Sequence, residues 1–266
     1  MARKLGYLVV EGPHDVEFAI RLIRSRVHLV RVRDIKLLDE TLRKLVPRDF
    51  PYEGDLLKRV PVPTFLQNED LAIAIHSAGG DSKIAACLEG TFDVIDSKEF
   101  SVVGVILDSD SMISPEARHK NLLQLVESLT VKFSSVPGEL FEGPPRTGIY
   151  VLPDNQAQGT LEDLLLECGV VAYPGQLSAA KAFVDGVLSA CTGGDFSDLR
   201  LPAGRNKAVV GAVAGLLRPG KAVQVSIQDN GWLKGEALQI ERVKKVGDFL
   251  DELFGLTNKA GVTPSV

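Results

Sequence analysis

The feature that most restricts what this chain can fold into is a unit that recurs along it: a short apolar run, a stop at an acid or a glycine, then residues at helical spacing. KLGYLVV (4 to 10) closes on Glu-Gly-Pro, and behind it Val16, Ala19, Ile20 and Ile23 fall on one helical face. LAIAIHSAGG (71 to 80) stops at paired glycines and leads into DSKIAACLEGTFDVI, which opens with an Asp/Ser start signal. SVVGVILDSDS (101 to 111) ends in acids before a helical pattern from Pro115 to Leu129, and GIYVLPDNQAQG (148 to 159) precedes LEDLLLECG. Strands apolar along their whole length, alternating with helices, predict an α/β fold with a mainly parallel sheet and helices on both faces.

The units are not spread evenly. Residues 29 to 63 lack clear periodicity, carry several basic residues and hold prolines at 47, 51, 61 and 63, so an irregular basic insertion is expected there. From Gln176 onward the pattern is mostly helical, broken at CTGG (191 to 194) and RPG (218 to 220), with a last amphipathic helix from Glu236 to Phe254. We read residues 1 to 175 as the α/β domain, 176 to 256 as a helical C-terminal appendage packed on it, and 257 to 266 as a disordered tail. At 266 residues, 45% hydrophobic and 24% charged, the chain is long enough to bury a sizeable core without staples.

Composition narrows the classes further. Cys87, Cys168 and Cys191 are far apart and free of CxxC spacing, which suggests neither a disulfide framework nor a zinc knuckle. The apolar run before Glu11 is too short for a signal sequence, and no uncharged stretch is long enough for a bilayer, so a soluble cytoplasmic protein with no membrane partner is expected. The net charge of -5 argues against a generally basic nucleic-acid binder, but residues 1 to 60 hold 13 Lys/Arg against 9 Asp/Glu while the remainder hold 17 against 26. That asymmetry is compatible with a basic face on an acidic body, and equally with a solvated surface of mixed sign. A homo-oligomer is left open.

In a parallel sheet the ligand sits beyond the carboxyl ends of the strands. Glu11, Gly79 with Gly80, Asp108 with Asp110, and Asp154 with Asn155 all follow strand ends and are expected to converge on one edge. Asp108 and Asp110 alternate behind a buried strand and would offer hard oxygens to Mg²⁺ or Mn²⁺; the alternative is that they cap the next helix. Glu11, directly after a very apolar strand, needs a cation or hydrogen bonds if it is buried. Asp15 would add a second ligand or a general base if it faces the same way, or else it is an ordinary first-turn acid. Gly79, Gly80 and Lys83 suit a phosphate cradle, or simply a strand-to-helix turn. His14 stands beside the proposed site and is read as a surface residue, while Trp232 is read as packing.

VVEGPHD followed some ninety residues later by VILDSDS resembles the signature of the Toprim family, an early Glu-Gly after the first strand and a later DxD. The resemblance covers residues 4 to 170 and is nearest to the Toprim half of overcoming-lysogeny-defect nucleases and to small uncharacterised Toprim-like proteins, with HSAGGDSKI, PDNQAQGTLEDLL and the RNKAVV segment similar to the latter. It implies a Toprim-like fold, a divalent metal held by Asp108 and Asp110 with Glu11 as a further ligand or as the catalytic general acid/base, and metal-dependent cleavage of DNA or RNA. It further implies an acid at Asp15, a later ligand at Glu162 and a late catalytic lysine at Lys207. No GxxxxGK[ST] motif occurs, so the ATPase half of those nucleases is not matched. A non-catalytic module that keeps this fold and binds nucleic acid or nucleotide is the competing expectation. A receiver domain would want an acidic pair after its first strand, and a haloacid-dehalogenase-like phosphatase an early DxD; both fit worse.

Overall fold

A computed structural model describes residues 3–49, 54, 56, 62–110, 112–191 and 193–256. Among these residues the backbone forms one seven-stranded mixed sheet and eight α-helices. Its middle is built from the four runs that end in acid or glycine: β1 (Lys4–Val10), β4 (Leu71–Ser77), β5 (Val102–Asp108) and β7 (Arg146–Leu152). They lie parallel in the order β4-β1-β5-β7, with Leu8 beside both Ile75 and Gly104, and Asp108 beside Leu152. The edges are antiparallel: β3 (Thr64–Gln67) pairs with β4, β2 (Val30–Arg31) with β3, and β6 (Leu140–Phe141) with β7.

Alternation along each central strand divides the core in two, because successive side chains leave opposite faces of a sheet. Leu8, Val10, Ile73, Ile75 and Ile106 face α1 (Pro13–Arg24), α4 (Leu161–Ala172), α5 (Pro174–Ala190), α6 (Pro202–Leu217), α7 (Val223–Asp229) and α8 (Glu241–Phe254). Tyr7, Val9, Ala72, Ala74, Val103, Val105 and Leu107 face α2 (Ile84–Val94) and α3 (Pro115–Leu125). The helical segment after residue 176 is thus most of the cover of one sheet face, and Trp232, fully buried with its indole N–H on Ser226 Oγ at 2.9 Å, belongs to that packing.

Three strand glycines let α8 lie close. A β-carbon on Gly104 would stand 2.6 Å from Leu253 Cδ2, and one on Gly6 or Gly148 would strike Phe254 or Phe249. The last helix begins at Glu241 and is preceded by a 3-10 turn over Gly235–Gln239, where a single helix from Glu236 is predicted. The expected irregular insertion contains β2, two 3-10 turns at Ile35–Leu37 and Leu42–Leu45, and the approach to β3, while most of residues 50 to 61 and the expected disordered tail lie outside the described residues. Among the described residues no helix is long and apolar enough to cross a membrane.

Candidate functional site

Parallel strands bring their carboxyl ends to one edge, and there a cavity of about 500 Å³ opens between β1, β4, β5 and the helices α1, α4, α6 and α7. Its lining includes Glu11, Asp15, Gly79, Gly80, Asp108, Glu162 and Lys207, so residues from most of the sequence meet there. Asp110 and Lys83 are not in the lining, and neither are Asp154 and Asn155.

Glu11 leaves the end of β1 and Asp108 the end of β5, and the two are tied directly: the Asp108 backbone N–H donates to Glu11 Oε1 at 2.7 Å. Asp108 Oδ1 in turn accepts the Leu161 N–H at 2.9 Å, where α4 begins. Asp15 stands in the first turn of α1, where one oxygen, Oδ2, accepts the Gly12 N–H at 3.0 Å. Its other oxygen, Oδ1, is buried and accepts no hydrogen bond among the described residues. Asp15 thus caps α1 with one oxygen while the residue also lines the cavity. Glu162 is buried in the first turn of α4, holding Thr160 Oγ1 at 2.9 Å and His14 Nδ1 at 3.8 Å. His14, read from sequence as a surface residue, is thus also part of the cavity wall.

The electrostatics follow from packing acids together away from water. Burial pushes the Glu11 carboxyl up to about 7, and the neighbouring charges of Asp15, Asp110 and Asp81 add to it, against the pull of the Asp108 N–H. Asp15 rises to about 6, from burial first and then repulsion by Glu162. Asp108 lies well above the carboxylate range through burial and the charges of Asp15, Glu11 and Glu162. Glu162 goes the other way: burial alone would raise it, but His14, Thr160 and the charge of Lys207 outweigh burial and hold it low.

Asp110 departs from the expected pairing with Asp108. Two residues apart on an extended strand they would face one way, but Asp110 takes a positive φ of 60° and its carboxylate is half exposed on the Arg118 guanidinium. The same guanidinium reaches Asp81 at 2.5 Å and the Asp108 carbonyl at 3.0 Å, locking three loops together. The Gly79 and Gly80 N–H groups, expected to cradle a phosphate, both donate to the Glu11 carbonyl at 2.9 and 3.0 Å, so these donors are already committed. Both glycines have positive φ, which makes them turn residues. Lys83 is exposed, with its ammonium 4.0 Å from where a β-carbon on Gly79 would stand. Asp154 and Asn155 are consumed by their own turn, Asp154 accepting the Gln156 and Ala157 N–H groups and pairing with Arg242, and Asn155 accepting the Val151 N–H. Among the described residues no group of three His, Cys, Asp or Glu side chains is poised to hold a metal ion as the side chains stand.

A family model described as "Protein of unknown function (DUF3226)" matches residues 6–255, nearly the whole chain and every element that builds the cavity. The chain belongs to that family. No curated protein matches the sequence. Among solved structures, a hypothetical protein from Pyrococcus horikoshii OT3 resembles this DUF3226 chain with a TM-score of 0.50 at 18% identity, covering 94% of this chain and 95% of that one. At that identity the likeness concerns the fold.

Two residues that brace the surroundings of the cavity without lining it were not singled out from sequence. Arg118 carries one signal, a cation near the start of α3 where the helix dipole disfavours it. Asn206, which donates to Asp163 Oδ1 at 2.8 Å and so ties α6 to the first turn of α4, carries none that distinguishes it from a surface amide.

Proposed function

We propose that the chain is a divalent-metal-dependent phosphodiesterase of Toprim type that cleaves nucleic acid, with its centre in the acidic cavity. The observation that carries this reading is the unpartnered buried Oδ1 of Asp15 in a cavity shared with Glu11, Asp108 and Glu162. Four carboxylates are gathered there with Lys207 and His14 as the cationic or potentially cationic groups of the lining, and three of the four carboxyls are pushed upward, which is the signature of a pocket short of positive charge.

The donor set fits a hard cation, since every acid in it offers oxygen and Mg²⁺ or Mn²⁺ prefers carboxylate oxygen. Asp15, Asp108 and Glu162, which do not converge as the side chains stand, would have to turn toward one another to hold the ion, which when bound supplies Lewis-acid stabilisation of charge on the phosphoryl oxygens. Glu11, with a carboxyl near neutrality, takes up or gives a proton at its carboxylate oxygen at working pH. Lys207 adds to His14 and Thr160 in keeping Glu162 ionised and sets a positive charge at the cavity wall for a phosphate oxygen. The Gly12 N–H holds Asp15 Oδ2 and so restrains the carboxylate that carries the unpartnered Oδ1. Asp110 stays outside this set while Arg118 holds it. The surplus of basic residues in the first sixty, with Arg24, Arg33, Lys36, Lys44 and Arg48 exposed, supports contact with a phosphate backbone.

Binding of nucleic acid without turnover is the second reading, favoured by the side-chain arrangement in which no three acids converge. One assay separates the two. Single- and double-stranded DNA and RNA incubated with Mn²⁺ should be cleaved by the wild type, and Glu11→Gln should lower the rate by at least about 100-fold while the circular dichroism is unchanged. Retained binding without cleavage selects the second reading, and a loss below about tenfold removes Glu11 from the chemistry.

A further inference from the structure

On the other side of Pro13 from the acidic cavity lies a second cavity of about 250 Å³, smaller than the roughly 300 Å³ at which whole-ligand pockets begin. The two share Pro13 and are built from adjacent positions of the same elements: Ser77 of β4 against Gly79 and Gly80, and Gln224 of α7 against Val223. They are neighbouring cavities with Pro13 as a shared wall. Their chemistry differs sharply. Where the first is crowded with carboxylates, the second is walled by Val16 and Ile75, and its one acid, Glu17, is neutralised by Arg31, whose Nη2 reaches both carboxylate oxygens at 2.7 Å. Arg31 is held from its far side by Gln228 Oε1 at 3.1 Å, one turn along α7 from Gln224.

Three neutral polar side chains reach this compartment from three elements: Thr64 of β3, Ser77 of β4 and Gln224. None of the three side chains makes a hydrogen bond to another described residue, and all three are half-buried. An apolar-walled recess with a few convergent, unpartnered neutral donors and acceptors is the composition of a site for an uncharged polar ring, and a primary amide matches the paired donor and acceptor on a base edge.

Resting on the phosphodiesterase reading of the acidic cavity, we propose that the second cavity accepts the nucleobase of the nucleotide whose phosphate occupies the first, with Gln224, Ser77 and Thr64 holding its edge. The pair of cavities thus sorts its ligand by charge. The anionic phosphate goes to the compartment that also takes a cation, and the neutral base goes to the compartment with no net charge. The occupant is a nucleotide unit, free or at the end of a strand, rather than a simple phosphate ester.

The test is equilibrium binding by isothermal titration calorimetry with Mg²⁺ present, using a nucleoside 5′-monophosphate and inorganic phosphate as probes. On the wild type the nucleotide should bind at least about tenfold more tightly than phosphate, since two neutral hydrogen bonds are worth about that factor. Gln224→Ala/Ser77→Ala should bring the nucleotide down to the affinity of phosphate and leave phosphate binding unchanged. Equal binding of the two probes by the wild type, no nucleotide binding, or a double variant that weakens both probes alike would each overturn the proposal. Hydrolysis of methyl p-nitrophenyl phosphate in Mn²⁺, which carries no base, reports on the acidic cavity separately: its loss in Glu11→Gln together with its persistence in Gln224→Ala/Ser77→Ala supports two compartments. If wild type fails to hydrolyse this ester, the phosphodiesterase reading falls while the binding comparison still decides the base site. A trinucleotide compared with the monophosphate distinguishes a strand terminus from a free nucleotide as the source of the base, tighter binding of the trinucleotide selecting the strand.

Discussion

Burial raises the Glu11 carboxyl from 4.5 to about 7 and the Asp15 carboxyl from 3.8 to about 6, so the folded chain binds protons there that the unfolded chain releases. The sign follows from linkage: between the ordinary carboxylate range and about 7 the native state carries the extra protons, and stability falls as pH rises through that window. For Glu11 alone the shift corresponds to about 3 kcal/mol. Urea unfolding in chelator should therefore show greater stability at pH 5 than at pH 8, and in Glu11→Gln that difference should shrink by about 3 kcal/mol, because Gln keeps an oxygen for the Asp108 N–H without the charge. An unchanged pH dependence in the variant would mean that Glu11 is not a buried, unneutralised acid. At this scale the meeting of Glu11, Asp15 and Asp108 in one cavity was legible from their places at strand ends and in the adjoining first turn, although Asp108 also read as a helix cap and Asp15 as an ordinary first-turn acid. The orientation of Asp110 was not, since alternation describes an extended chain and one positive φ with a guanidinium from α3 cancels it. The cradle reading of Gly79 and Gly80 fails for a similar reason: glycines announce a turn, but not which carbonyl takes their N–H groups.

Four strand-helix units set the middle of the sheet, and these were readable because each apolar run is short, stops at a polar residue or glycine and is followed by helical spacing. The edge strands β2 and β6 have two residues each and β3 has four, too short for any period to appear, and they exist because a neighbouring strand offers its free edge. Packing between elements also rests on single positions. Gly104 lies under Leu253, with Leu8 Cδ1 also 3.0 Å from where its β-carbon would be. Gly104→Ala should cost about 1–3 kcal/mol by overpacking against α8, measured as a lower urea midpoint at constant m-value. A change under about 0.5 kcal/mol would show that α8 can retreat without loss, and that the glycine trough on β1, β5 and β7 is incidental.

Across the whole molecule, the strand ends supply carboxylates after β1 and on β5, while α4 adds Glu162 and α6, from the helical segment, adds Lys207 to the same cavity. Glu162 and Lys207 were reachable only through family resemblance, because their partners are set by how α4 and α6 pack and no local pattern records that. The central claim is that the cavity takes a divalent cation, three of its four carboxyls being raised and Asp15 Oδ1 having no hydrogen-bond donor among the described residues. Calorimetric titration of Mn²⁺ into the wild type and Asp108→Asn at pH 6.5 tests it most directly. Asn can still accept the Leu161 N–H, so the fold should survive. The wild type should bind with release of protons, seen as a dependence of the heat on buffer ionisation, and Asp108→Asn should bind at least about tenfold more weakly. No binding by the wild type, or equal affinity and equal proton release in the two proteins, would contradict the account.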